Sequence, residues 1–215
     1  MTVQEALHPF ASRGGLKLEH ALKAFDLPVA GKVALDIGAS TGGFTDCLLQ
    51  QDAVKVFAVD VGYGQLVWKL QKDSRVVILD RKNARYLTLD DVGEPVDLVV
   101  IDVSFISLKL ILPPILKIVR PEGDIVALVK PQFEVGKDEV ENKGIIKDPE
   151  KHLKVLFDLK EFVQNQGWMI HQLTTSPITG QKGNKEFLIH CVRKEPVGEI
   201  SEDLIREEIF RESPS

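Results

Sequence analysis

The segment Val33-Ala34-Leu35-Asp36-Ile37-Gly38-Ala39-Ser40-Thr41-Gly42-Gly43-Phe44 combines residue types and a spacing that bind nucleotide-like cofactors. A short apolar run carries an acid near its end, a glycine-rich turn follows at once, and a helical stretch comes next. A second apolar run, Val54 to Val59, ends in Asp60 about twenty residues further on. Glycines let the backbone approach a ligand without a Cβ in the way, and an acid after the second strand accepts hydrogen bonds from ribose hydroxyls. The glycine pattern is GxxxGG, not the GxGxxG that seats a dinucleotide pyrophosphate on a helix N-terminus. S-adenosylmethionine carries no phosphate. It needs room for its methionine moiety at the turn formed by Gly38, Ser40, Thr41, Gly42, Gly43 and Phe44. Asp36 is expected to face the methionine amino group, directly or through water, and Asp60 the ribose. The segment Leu79-Asp80-Arg81-Lys82-Asn83 is expected to cover the adenine, with Asp80 or Asn83 bonding its exocyclic amine.

A second group of polar residues interrupts or flanks apolar stretches. Lys17 lies in a helical stretch, Asp102 ends the run Leu98-Val99-Val100-Ile101, Lys130 ends the run Ile125 to Val129, and Glu186 opens the last apolar run. The ends of the fourth and fifth strands lie on the edge where open α/β sheets place ligands. A lysine that ends a buried strand is costly without a partner, so acidic neighbours are expected beside Lys130. Ser104, Phe105 and Phe133 stand close by in the sequence, ready to contact a substrate or to fill space.

These residues need a scaffold, and the hydrophobic pattern supplies one. Residues 13–25 have helical spacing at Leu16, Ala21, Leu22 and Phe25. Strands are expected at 32–37, 54–59, 75–79, 96–101 and 124–129, with helices at 43–51, 65–71 and 108–119 between them. Such alternation implies right-handed crossovers and a mostly parallel sheet, and continuous apolar strands imply helices on both faces. Residues 131–148 lack periodicity and read as a long functional loop. Asp148 and Pro149 open a helix running to about residue 166, and 168–175 and 186–192 close the sheet as a hairpin with a long connection. The fold class is therefore α/β, a Rossmann-like methyltransferase sheet of seven mostly parallel strands.

The composition is that of a globular chain of 215 residues with net charge −5. An acidic balance disfavours a stand-alone nucleic-acid binder, although Arg13, Lys17, Arg81, Lys82, Arg85, Lys130, Lys137, Lys143, Lys182 and Lys185 are candidates for a local basic face. No apolar run reaches the roughly 20 residues that span a membrane. The two cysteines, Cys47 and Cys191, are far apart in apolar segments. They suggest neither a disulfide framework nor a metal site and suit a reducing cytoplasm. The tail, residues 195–215, is acidic, with an amphipathic patch at Leu204, Ile205 and Ile209 that reads as a peripheral helix or a frayed end.

The runs SRGGLKLEHAL, LDIGASTGGFT, AVDVGYGQL, VVIDVSFISL, LVKPQFEVGK and GNKEF resemble, in order and spacing, the TlyA family, FtsJ-type ribose 2′-O-methyltransferases that also carry a hemolysin name. The resemblance covers residues 13–193. It implies an S-adenosylmethionine-dependent enzyme acting on a ribose 2′-hydroxyl of ribosomal RNA, a cytidine in particular. With no spanning segment and no strongly basic amphipathic helix in the sequence, no stable membrane association is expected. The family's Lys-Asp-Lys-Glu tetrad falls on Lys17, Asp102, Lys130 and Glu186. In that role Lys130 takes the hydroxyl proton, with burial and the neighbouring Lys17 cation making it a better base. Asp102 and Glu186 orient the lysines, and the cations stabilise the developing alkoxide. Family members carry a small RNA-binding module ahead of this domain, so residues 1–12 are expected to be the remnant of a linker to it, 13–194 the methyltransferase domain and 195–215 the tail. The competing functions are a membrane-active hemolysin, a cofactor-binding protein without catalysis and a nicotinamide-dependent oxidoreductase. The sequence leaves the oligomeric state open.

Overall fold

The runs of apolar residues become strands, and the stretches between them become the helices that cover the sheet. The protein is represented by a computed structural model that describes residues 8–136, 144–193 and 198–211. Helix α1 (Gly14–Ala24) leads into β1 (Val33–Ile37), α2 (Gly43–Gln50), β2 (Lys55–Asp60), α3 (Trp68–Gln71), β3 (Val76–Asp80), α4 (Leu89–Val92) and β4 (Val96–Ile101). Then follow α5 (Leu108–Ile115), β5 (Val119–Val129), α6 (Pro131–Glu134), α7 (Pro149–Asn165), β6 (Trp168–Thr175), β7 (Phe187–Arg193) and α8 (Glu202–Phe210). The strands form one seven-stranded sheet in the order β3-β2-β1-β4-β5-β7-β6. β1 to β5 are parallel, while β7 runs antiparallel to both β5 and β6. The mostly parallel α/β sheet is as expected.

The core lies on both faces of the sheet, because successive side chains of a strand point to opposite sides. Along β4, Val99 and Ile101 join the cluster under α5, α7 and α8. Leu98 and Val100 join the cluster under α1 and α2. All four are fully buried, each contributing ~1.5–3 kcal/mol from water exclusion. The strand is therefore a rigid mount for Asp102, which follows it directly.

Several boundaries differ from the sequence expectation. The helix expected over 65–71 forms only from Trp68, because Val67 is extended (φ −61°, ψ 147°) and the preceding turn needs Gly64 at φ +63°. The helix expected to run to 119 ends at Ile115, after the pair Pro113-Pro114 removes two backbone donors. β5 starts at Val119, not 124: Val119 pairs with Val96, and a register shift carries the strand past Pro121 and Gly123 before regular pairing resumes at Leu98 and Asp124. Asp148 caps α7 as expected, accepting from the Glu150 amide at 3.0 Å.

The described residues flanking the central domain pack against it. Ahead of α1, Phe10 is buried against α1 and α2, and a Cβ on Gly15 would lie 2.3 Å from its ring. The acidic tail supplies α8, whose Ile205 and Ile209 enter the core, while Leu204 is exposed. Lys137 and Lys143, named for a basic face, lie outside the described residues.

Candidate active site

The carboxyl ends of the parallel strands bring the singled-out residues to one edge of the sheet. Asp36 lies in β1, Asp60 and Asp80 end β2 and β3, Asp102 follows β4 and Lys130 follows β5. The strand order reverses between β1 and β4, and the crevice at such a switch point is where open α/β sheets take ligands. Gly38 and Asp102 face each other across it. Gly38 has φ +86°, and a Cβ there would lie 2.3 Å from the Asp102 carbonyl oxygen. Only glycine fits this close approach.

A cavity of about 330 Å³ opens at this point, lined by Lys17, Asp102, Lys130 and Glu186 together with Gly38, Ser40, Gly43 and Phe44. The tetrad is arranged as two ion pairs. Lys17 Nζ donates to Glu186 Oε2 at 2.6 Å, with both side chains largely buried. Lys130 Nζ lies 2.6 Å from Asp102 Oδ1 and donates to Ser104 Oγ at 2.9 Å. The burial cost anticipated for Lys130 is thus offset by a carboxylate and a hydroxyl. Glu186 needs open space beside it: a Cβ on Gly180 would fall 1.9 Å from Glu186 Oε1.

The expected cofactor-binding residues divide into two sets. Gly38, Ser40, Gly43 and Phe44 line the cavity, whereas Thr41 is exposed outside its wall and Gly42 packs on α3, where a Cβ would meet Leu70 at 2.2 Å. Asp36 is fully buried beneath the turn. One of its oxygens accepts from Thr45 Oγ1 at 2.6 Å, and the other has no partner. Desolvation, opposed by the Thr45 bond and reinforced by the charges of Asp102 and Asp60, lifts its carboxyl to about 7. Asp60 holds the turn to β2, accepting from the Ser40 amide at 2.8 Å and from the Gly62 amide at 2.7 Å. A carboxylate has acceptor sites to spare beyond these two. Asp80 accepts from the Gly64 amide at 2.8 Å. Asn83 is exposed, and its side-chain oxygen caps the turn at Arg85. Neither lines the cavity.

The cavity wall also contains residues that the sequence reading passed over as site residues. Ser12, Arg13 and Gly14 contribute from the start of α1, Gln132 from α6, and Ile178, Thr179 and Gly180 from the connection between β6 and β7. Gln132 Oε1 is buried without a hydrogen-bond partner. The conjunction Ser12-Arg13-Gly14-Gly15 was the one local signal for its segment. At the rim, Phe105 is 83% exposed, adopts φ +63°, and lies with its ring centroid 4.9 Å from that of Phe133, which lines the cavity. The connection carrying Phe133 is anchored by Glu134, which accepts from Ser107 Oγ at 2.6 Å and from the Leu108 amide at 2.8 Å. Of the basic residues named earlier, Lys82 is paired with Asp91 and Arg81 lies over the Tyr63 ring at 4.4 Å.

The glycine cradle, the unpaired oxygens of Asp36 and Gln132 and the cavity volume fit a small, polar, cationic ligand such as S-adenosylmethionine. Comparison with known proteins agrees. The FtsJ-like methyltransferase family matches residues 10–193. YqxC of Bacillus subtilis is 50% identical over 204 residues, covering 94% of this chain and 72% of that protein. The 16S/23S rRNA (cytidine-2′-O)-methyltransferase TlyA of Mycobacterium tuberculosis is 47% identical over 187 residues, covering 87% of this chain and 70% of that protein. A hemolysin-named protein of Streptococcus thermophilus has a solved structure with a TM-score of 0.90 at 45% identity, covering 96% of this chain and 75% of that one. The chain belongs to the FtsJ-like methyltransferase family, and to the TlyA group within it.

Proposed function

We propose that this enzyme methylates a ribose 2′-hydroxyl of ribosomal RNA, with a cytidine as the target nucleotide and the cytoplasm as its place of action. The observation that carries this reading is the convergence of Lys17–Glu186 and Lys130–Asp102 on one cavity beside the glycine turn. A ribose hydroxyl is a poor nucleophile that must lose its proton as the methyl group arrives, and the paired lysines suit that need.

The glycine turn, Asp36 and Asp60 would hold S-adenosylmethionine, which supplies an electrophilic methyl group on a positively charged sulfur. The reacting form of Lys130 is the neutral amine, its own proton having first passed to solvent; its lone pair accepts the 2′-hydroxyl proton, and the ammonium so formed pairs with Asp102 at 2.6 Å. Lys17, fixed by Glu186, lines the same cavity and stabilises the developing negative charge on the oxygen. Ser104 holds the Lys130 amine in line. Phe105 and Phe133 offer an aromatic face on which the target base can stack once it leaves its neighbours.

Transfer of labelled methyl groups from S-adenosylmethionine to purified ribosomal RNA and to ribosomal subunits tests the reading, with nuclease mapping to place the label on a 2′-oxygen. Label on a base, or none on RNA while red cells release haemoglobin, would replace it. Among the described residues no helix is long and apolar enough to cross a membrane.

A further inference from the structure

The β6–β7 connection reaches the active site from one end and α8 from the other. Thr175 closes β6, and its amide donates to Glu208 Oε1 at 2.6 Å. Glu208 is buried on α8, and its second oxygen lies 3.1 Å from Arg211 Nη1. On the far side of the connection, Lys185 Nζ donates to the Ile209 carbonyl at 2.8 Å. That carbonyl belongs to the last turn of α8, whose C-terminal acceptors lack partners within the helix and favour a cation. Burial lowers the Lys185 ammonium from its usual range, and the charge of Glu208 opposes that shift.

Between these two clamps lie Ile178, Thr179 and Gly180, which line the cavity, and the next residue after Lys185 is Glu186, the partner of Lys17. The Glu186 carbonyl also accepts from the Ser176 amide, so both ends of the connection are tied together beside the site. Helix α8 lies beyond residue 193, where the family match ends.

We propose that α8 is a positioning element for catalysis, in which Glu208 and Lys185 fix the β6–β7 connection so that Glu186 holds Lys17 at the reacting oxygen. This rests on the methyl-transfer reading above. A group displaced by about 1 Å can cost on the order of 100-fold in rate, and a clamp of two hydrogen bonds sets position on that scale.

The test compares Lys185→Met, Lys185→Arg, Glu208→Ala and Glu208→Gln in the full chain, assayed with ribosomal subunits and S-adenosylmethionine well below each melting midpoint. Lys185→Met and Glu208→Ala are expected to lower kcat roughly tenfold while the Kd for S-adenosylmethionine stays within about twofold of wild type. Lys185→Arg and Glu208→Gln, which keep the donor and the acceptor, are expected to restore most of the rate. In a Glu186→Ala background, Glu208→Ala is expected to cost little more, because the position it sets no longer matters. Unchanged kcat in folded Lys185→Met and Glu208→Ala, or full additivity with Glu186→Ala, overturns the proposal. Wild-type kcat in Glu186→Ala alone would instead overturn the assigned role of the tetrad. If Lys185→Met does not fold, the ratio of Glu208→Gln to Glu208→Ala decides the matter.

Discussion

Lys130 Nζ sits 2.6 Å from Asp102 Oδ1 and 2.9 Å from Ser104 Oγ. The amine is thus held between two side chains that follow the neighbouring strand β4, and its position is set by the sheet. Lys130→Met should lower the single-turnover methylation rate by about 10²–10⁴-fold, with cofactor affinity by calorimetry nearly unchanged, because the proposed mechanism uses Lys130 on the acceptor and not on the cofactor. Asp102→Asn should keep the hydrogen bond but lose the charge, giving a smaller loss. Wild-type turnover in Lys130→Met would remove it from the reaction.

Asp60 holds the turn, and in the proposed function it also takes the ribose of the cofactor. Its carboxylate fixes the Ser40 and Gly62 amides at 2.8 and 2.7 Å, and hydrogen bonds to a charged group contribute ~1.5–3 kcal/mol each. Asp60→Ala should weaken S-adenosylmethionine binding by roughly 10–100-fold, measured by calorimetry, and the same variant saturated with cofactor should recover much of its kcat. Unchanged affinity would move the ribose contact elsewhere.

The contrast between these residues and others explains what could be read in the sequence. Asp36, Asp60, Asp102 and Lys130 each mark a charge in or just after an apolar run, and a parallel sheet carries all such positions to one edge. Lys17 and Glu186 are 169 residues apart, and their pairing depends on β7 lying antiparallel beside β5. No local pattern encodes that; the likeness to a family did. Ile178 to Gly180 reached the cavity unannounced because an irregular connection has no period to read, and Gln132 was legible only as part of a functional stretch at 131–148. The amphipathic patch at Leu204, Ile205 and Ile209 announced the helix α8, but not that Ile205 and Ile209 enter the core or that Glu208 reaches the Thr175 amide, because those contacts are tertiary. The fifth strand was expected from 124, and the register shift that carries β5 back to Val119 past Pro121 and Gly123 is set by pairing with β4.

Phe105 combines exposure with strain. It is 83% exposed and has φ +63°, a conformation that costs a residue other than glycine ~1–3 kcal/mol. Phe105→Gly should therefore raise stability by about 1 kcal/mol while lowering kcat/KM for RNA by roughly tenfold through lost base stacking. Chemical denaturation and methylation assays on the same preparation check both. A gain in stability with no loss of activity would reduce Phe105 to a surface residue.

Gly38 should tolerate no side chain. With φ +86° and a Cβ position 2.3 Å from the Asp102 carbonyl oxygen, Gly38→Ala strains its own backbone and pushes β1 and β4 apart at the switch point. The expected cost is ~2 kcal/mol or more, seen as a lower melting temperature, together with a fall in kcat as Asp102 moves. Gly64, also at positive φ but with open space around its Cβ position, should pay only the backbone strain when changed to alanine, and should keep its activity.

Asp36 makes stability depend on pH in a direction opposite to that of a salt-bridged acid. Its carboxyl stands at about 7 in the folded chain against 3.8 for an unperturbed aspartate, chiefly through desolvation. Below about 4 both states hold the proton, and the contribution to stability is complete. As pH rises from about 4 to 7, the unfolded chain releases a proton that the folded chain keeps, so stability falls, by ~4 kcal/mol once the folded group also ionises. Asp36→Asn can still accept the Thr45 hydroxyl bond but cannot ionise. Its stability relative to wild type should therefore be nearly level below pH 4, improve steadily to about pH 7 and stay constant beyond. Urea melts of both proteins across this range check the prediction, since the other titrating groups cancel in the difference. A cationic ligand beside Asp36 favours the ionised form, so saturating S-adenosylmethionine should stabilise wild type more than Asp36→Asn, and increasingly so toward pH 8. A pH-independent difference between the two proteins would mean that Asp36 is not held neutral beneath the turn.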